Sequence, residues 1–227
     1  MKKLLDLVRV GLAGLLFGLV APLAHAQPLA PPDARTAQYL ASEPFKQLIP
    51  VVGMAYDQNL LERKEICATG YQWDALSFVV LQPMVFRDGD DHPQAGVWTF
   101  RFAFNRCGAR TVYNVLMQGQ PGKPPQPALL VPGLTLTSPR LAGDLMRGVG
   151  VAAALAGVPP ECKSVRILDT QVTAEPFRLV QAGKVREGVW QERWSARACG
   201  KPFTAEFCLT PHPAGGTDWA LGKCKRQ

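Results

Sequence analysis

"GVWTFRFAFNRCG", residues 96–108, returns in altered form as "GVWQERWSARACG", residues 188–200. Aligned on Trp98 and Trp190, the copies match Gly96-Val97 with Gly188-Val189, Arg101 with Arg193, and Cys107-Gly108 with Cys199-Gly200. The agreement reaches Ala128-Leu129 and Ala220-Leu221, each preceded by a turn-rich stretch, "QGQPGKPPQP" and "TPHPAGGTDW". Self-similarity at a fixed offset marks a repeated structural unit and outranks local propensity as a guide to architecture.

Each copy has the period of a strand. Trp98, Phe100, Phe102 and Phe104 alternate with Val97, Thr99, Arg101, Ala103 and Asn105. Successive strand side chains point to opposite faces, so one face is aromatic and the other largely polar. That is the pattern of a half-buried antiparallel strand. Cys-Gly predicts a turn in both copies, with Gly supplying the unusual backbone angles. "TVYNVLM" (111–117) and "FTAEFCL" (203–209) then return as the next strands.

A helix is expected ahead of each strand region. Over 138–157, Ser138 suits the N-cap and Pro139 the first helical position. Leu141, Leu145, Val149 and Ala152 make its apolar stripe, and Gly143, Gly148 and Gly150 weaken it unless they bring it close to the sheet. Over 42–64, a second helix is expected to break or kink at Pro50.

The fold class follows as α+β, with two tandem helix-plus-four-strand antiparallel units over 43–133 and 134–227, stapled by disulfides. Residues 27–42 form an N-terminal segment. The order of elements resembles that of cystatin-like domains, which implies a helix laid across the aromatic face of each sheet.

Residues 1–26 read as a signal peptide. Lys2 and Lys3 precede "GLAGLLFGLV", and Ala24-His25-Ala26 supplies a small-x-small cleavage pattern before Gln27. The expected location is periplasmic or secreted, with no stable membrane insertion after cleavage. "GVGVAAALAGVP" is too short to span a bilayer. The formal net charge is +7, yet only the final "GKCKRQ" clusters basic residues, so no nucleic-acid partner is expected.

All six cysteines fall in the mature chain: Cys67, Cys107, Cys162, Cys199, Cys208 and Cys224. An even number in an exported protein points to disulfides. The repeat selects Cys67–Cys107 and Cys162–Cys199, leaving Cys208–Cys224. That last pair is expected to lie side by side on neighbouring strands, equidistant from a hairpin tip at Gly215-Gly216.

Groups suited to chemistry are sparse. His92 and His212 fall in expected turns, and no G-x-S-x-G, H-E-x-x-H or Gly-rich phosphate loop occurs. "DGDDHP" (88–93) resembles a fragment of a calcium loop but lacks the downstream acidic ligand, and Asp-Gly is an ordinary hairpin signal. Neither metal nor cofactor is expected. Glu192 contradicts its surroundings, because it shares a face with Trp190 and Trp194 where the first copy has Phe100. It is either an edge position where that face meets solvent or a polar group at the mouth of a ligand cleft beside Trp194. Arg101, Arg193 and Arg197 lie on the opposite face, as ordinary surface charges or a cationic strip offered to a partner. The function expected is that of an exported, non-catalytic binding protein or inhibitor-like module for a protein or small ligand of the cell envelope. The alternative is an extracytoplasmic hydrolase using carboxylates such as Asp88, Asp90 or Glu192.

Overall fold

Two successive residues with positive φ shape the repeated turn. Cys107 and Gly108 have φ of 47° and 77°, and Cys199 and Gly200 have φ of 45° and 83°. A two-residue hairpin loop with both φ positive matches the right-handed twist of the strands it joins. Each Cys-Gly pair therefore sits at the tip of a tight hairpin, the first between β2 (Ala95–Arg106) and β3 (Ala109–Gln120). The second lies between β6 (Lys184–Ala198) and β7 (Lys201–Pro211). Gly was expected to carry the unusual angles; the cysteine carries them as well.

The computed structural model describes residues 33–61, 70–181 and 183–225. The expected signal peptide lies outside these residues. Strands β1 (Tyr71–Val85), β2, β3 and β4 (Lys123–Leu129) form one antiparallel sheet in sequence order. Strands β5 (Val165–Gln181), β6, β7 and β8 (Thr217–Leu221) form a second, with the same order. Helices α1 (Ala34–Leu40) and α2 (Glu43–Asn59) precede the first sheet and α3 (Pro139–Leu155) precedes the second. The fold is α+β.

The aromatic face of β2 is buried as its alternation demands. Trp98, Phe100, Phe102 and Phe104 pack with Phe45, Ile49, Val52 and Tyr56 of α2 in one core. In the second core, Leu141, Leu145, Val149 and Ala152 of α3 meet Trp190, Trp194, Phe203 and Phe207. Ser138 caps α3 as expected, its Oγ accepting from Leu141 N at 3.2 Å. Gly148 is the close-approach glycine: a Cβ there would stand 2.6 Å from the Phe207 ring. Gly143 and Gly150 face open space and have no such role.

Three features depart from expectation. First, α1 is an additional helix within the expected N-terminal segment. Asp33 caps it, accepting from Thr36 N at 2.9 Å. Its Tyr39 packs edge-on against Phe45 and Trp98. Second, α2 runs unbroken through Pro50, because Ile49 on one side of the proline and Val52 and Tyr56 on the other are all held in the core. A proline forfeits one hydrogen bond of the helix, and burial on both sides offsets that loss. Third, Cys208 and Cys224 are not side by side on paired strands. Cys208 is opposite Ala220, since the β7–β8 register is centred before Gly215-Gly216. Cys224 lies beyond β8 and turns back toward β6, where its N–H donates to Gln191 Oε1 at 2.7 Å.

The pairings themselves hold for the two disulfides within the described residues, Cys162–Cys199 and Cys208–Cys224. Cys107 is also disulfide-bonded. Its expected partner, Cys67, lies outside the described residues. Such bridges are compatible with an oxidising, extracytoplasmic environment. Among the described residues, no helix is long and apolar enough to cross a membrane.

Candidate functional site

Glu192 has no exposed surface. The edge-position reading is therefore corrected, and so is the cleft-mouth reading, because Trp194 beside it is equally buried. A carboxylate without water needs protein donors, and Glu192 has four. Oε1 accepts from Leu136 N at 2.8 Å and from Trp190 Nε1 at 2.9 Å. Oε2 accepts from Thr135 Oγ1 at 2.7 Å and from Trp194 Nε1 at 2.8 Å. The W-x-E-x-W spelling explains half of this set, since residues i−2, i and i+2 of a strand share a face. The other half comes from the chain segment between the two sheets.

That segment, residues 130–138, is bonded from both sides. Leu130 N donates to Asn114 O and Gly133 N to Val112 O, both on β3. Asn114 Nδ2 donates in turn to the carbonyls of Val131 and Gly133. On the other side, Leu134 N donates to Thr170 O of β5, and Thr170 Oγ1 to Pro132 O. Gly133 makes this approach possible. Its φ is +99°, and a Cβ would lie 2.3 Å from the backbone of Thr170. The segment is thus held between the two sheets, and Glu192 anchors it to the second.

Arg101 stands at this joint, half-buried on the face of β2 opposite the aromatic core. Its Nε donates to Asn114 Oδ1 and its Nη2 to Thr135 O, each at 2.6 Å. Nη1 has no partner among the described residues. Burial draws the guanidinium below its ordinary value, and the negative charge of Glu192 opposes that shift. Two depressions open beside it. A cleft of about 710 Å3 runs between Arg110–Val112 of β3 and Leu168–Val172 of β5. A groove of about 380 Å3 lies over the outer face of the first sheet, bounded by Val79, Leu81, Leu136 and Ala142. Arg101, Thr135 and Leu136 line both.

The remaining candidates do not converge on this place. Arg193 is exposed and pairs with Glu206 at 3.0 Å on the neighbouring strand. Arg197 is exposed four residues further along β6. Arg101 belongs to the other sheet and is held by Asn114 and Thr135, so the three arginines do not make one exposed strip. Asp88 and Asp91 are exposed in the β1–β2 connection, and Asp90 accepts from Gln94 Nε2 at 2.5 Å. His92 Nδ1 lies 3.2 Å from Tyr39 Oη, and partial burial lowers its pKa from the ordinary 6.5. His212 Nδ1 accepts from Ala214 N within the β7–β8 turn. Among the described residues, no three His, Cys, Asp or Glu side chains are grouped to hold a metal ion.

Sequence reading missed the joint itself. Its signals were slight: Gly133 inside "VPGLT", and Asn114 in the middle of an otherwise apolar strand. Comparisons with protein-family models, with curated proteins and with solved structures found no match for the chain.

Proposed function

We propose that the chain is an exported, non-catalytic binding protein whose ligand site is the joint around Arg101. Glu192 carries this reading. Of Asp88, Asp90 and Glu192 it is the one removed from solvent, and both its oxygens are already occupied by four donors. A general acid or base must reach the proton it transfers, and this one is committed to holding residues 135–136. Arg101 differs: two bonds fix its guanidinium between a cleft and a groove, and Nη1 has no partner among the described residues. A fixed, partly desolvated cation beside a concave surface suits recognition. In the same reading the two halves are tandem units of cystatin-like order, supported by the matching Cys-Gly hairpin turns.

The oxidised mature protein should show no turnover of esterase, protease, glycosidase or phosphatase substrates, with or without added divalent metals. Turnover lost on Asp88→Ala or Asp90→Ala would overturn the reading in favour of a carboxylate hydrolase. Non-reducing peptide mapping should return Cys67–Cys107 beside Cys162–Cys199 and Cys208–Cys224. A Cys67–Cys162 peptide would overturn the two-unit arrangement.

A further inference from the structure

The groove changes character along its length, and the β1–β2 register shows how. Ser77 is opposite Arg101, and Val79 is opposite Thr99. Leu81 is the extra residue of the bulge between Val80 and Gln82, and it lines the same groove. One end therefore holds a hydroxyl and a guanidinium, the middle a valine and a threonine, and the far end a leucine. Leu136 and Ala142 bound the groove from the segment and the start of α3. The apolar end is not closed: Leu81 is 53% exposed.

A cation at one end of an apolar trough calls for an anion at the end of an apolar chain. We propose that this groove binds single-chain amphiphiles with a carboxylate head, long-chain fatty-acid anions, with the head on Arg101 Nη1 and the chain along Val79 and Leu81. The proposal rests on the binding-protein reading and names its ligand class. A carboxylate accepts from a guanidinium with a charge-assisted bond stronger than a neutral one. The bonds to Asn114 and Thr135 hold the guanidinium in place beforehand, so little order is lost on binding. Glu192 makes no bond to Arg101, since its oxygens are engaged by other donors, and its charge offsets only part of the guanidinium's desolvation. Partial burial of Arg101 acts in the same direction, since a cation short of water gains most from an incoming anion.

The test is titration calorimetry of the oxidised mature protein with dodecanoate below its micelle concentration, alongside dodecanol and acetate. Dodecanoate should bind, and dodecanol should bind about tenfold more weakly for want of the charged head. Acetate should give no heat, for want of the chain. Leu81→Asp replaces an exposed side chain and should leave the melting temperature unchanged while weakening dodecanoate about tenfold or more. Arg101→Gln removes the cation and should bring dodecanoate down to the level of dodecanol. Absence of dodecanoate binding to wild type would overturn the proposal. So would equal binding by Leu81→Asp, or equal affinity for dodecanol and dodecanoate. Association with anionic phospholipid vesicles that Leu81→Asp leaves intact, without dodecanoate binding, would overturn it too and point to a membrane surface. A protein that binds no dodecanoate and turns over no substrate loses only the ligand class. Turnover, by contrast, removes the binding-protein reading whatever the calorimetry gives.

Discussion

Glu192 carries its charge on four donors instead of water, so the cost of changing it depends on what the replacement offers them. Glu192→Gln keeps the volume but turns an NH2 group toward two of the donors. It should destabilise the fold by about 2–3 kcal/mol. Glu192→Leu leaves a backbone N–H and two indole N–H groups without their acceptor, while the Thr135 hydroxyl still has Thr137 Oγ1 at 2.6 Å. It should cost more, about 3–5 kcal/mol, since each stranded donor forfeits ~1–3 kcal/mol. Urea denaturation of the oxidised proteins measures both, and a leucine variant as stable as wild type would show that Glu192 anchors nothing. Half of this residue's setting was legible in the chain, because Trp190 and Trp194 flank it at strand spacing. The rest was not. Thr135 and Leu136 lie 57 and 56 residues upstream, and alternation says which face a residue occupies but not what covers that face.

Among the elements, the strands were readable because alternation, turn chemistry and the repeat agreed on them. The first helix was not, since its seven residues carry no apolar stripe and owe their order to Asp33 and to Tyr39 in the aromatic core. Pro50 misled for a related reason: propensity registers the missing hydrogen bond but not the buried side chains on either side. The glycines of α3 now separate by what surrounds them. Gly148→Ala would press a methyl group into the Phe207 and Trp219 rings and should destabilise by about 1–3 kcal/mol. Gly143→Ala and Gly150→Ala meet nothing and should each stabilise by about 0.5–1 kcal/mol, through helix propensity alone. Melting temperatures of the three single variants decide the matter, and the same sign for all three would mean that α3 does not sit on Phe207 as described.

At the scale of the whole molecule, the C-terminal bridge secures a small second cluster on the outer face of the second sheet. Cys224 packs there with Leu179 and Val189. Replacing both Cys208 and Cys224 by Ala opens a bridge of sequence separation 16 and should cost about 3 kcal/mol. It should also make residues 222–225 the first site of proteolysis. Unchanged stability and unchanged cleavage would show that the tail is held without the bridge. The repeat made two similar sheets legible, but not their joint, which has no counterpart inside either copy. That joint has a consequence for how the chain is made. Residues 130–136 leave the ribosome well before Glu192, and before Thr170, so the segment cannot finish its bonding while the chain is still emerging. A chain stopped short of β6 would present Leu136 N–H without its Glu192 acceptor, however well its first sheet had formed. The nascent first half is therefore incomplete until synthesis passes residue 192, and its last bonds wait on the second half of the chain.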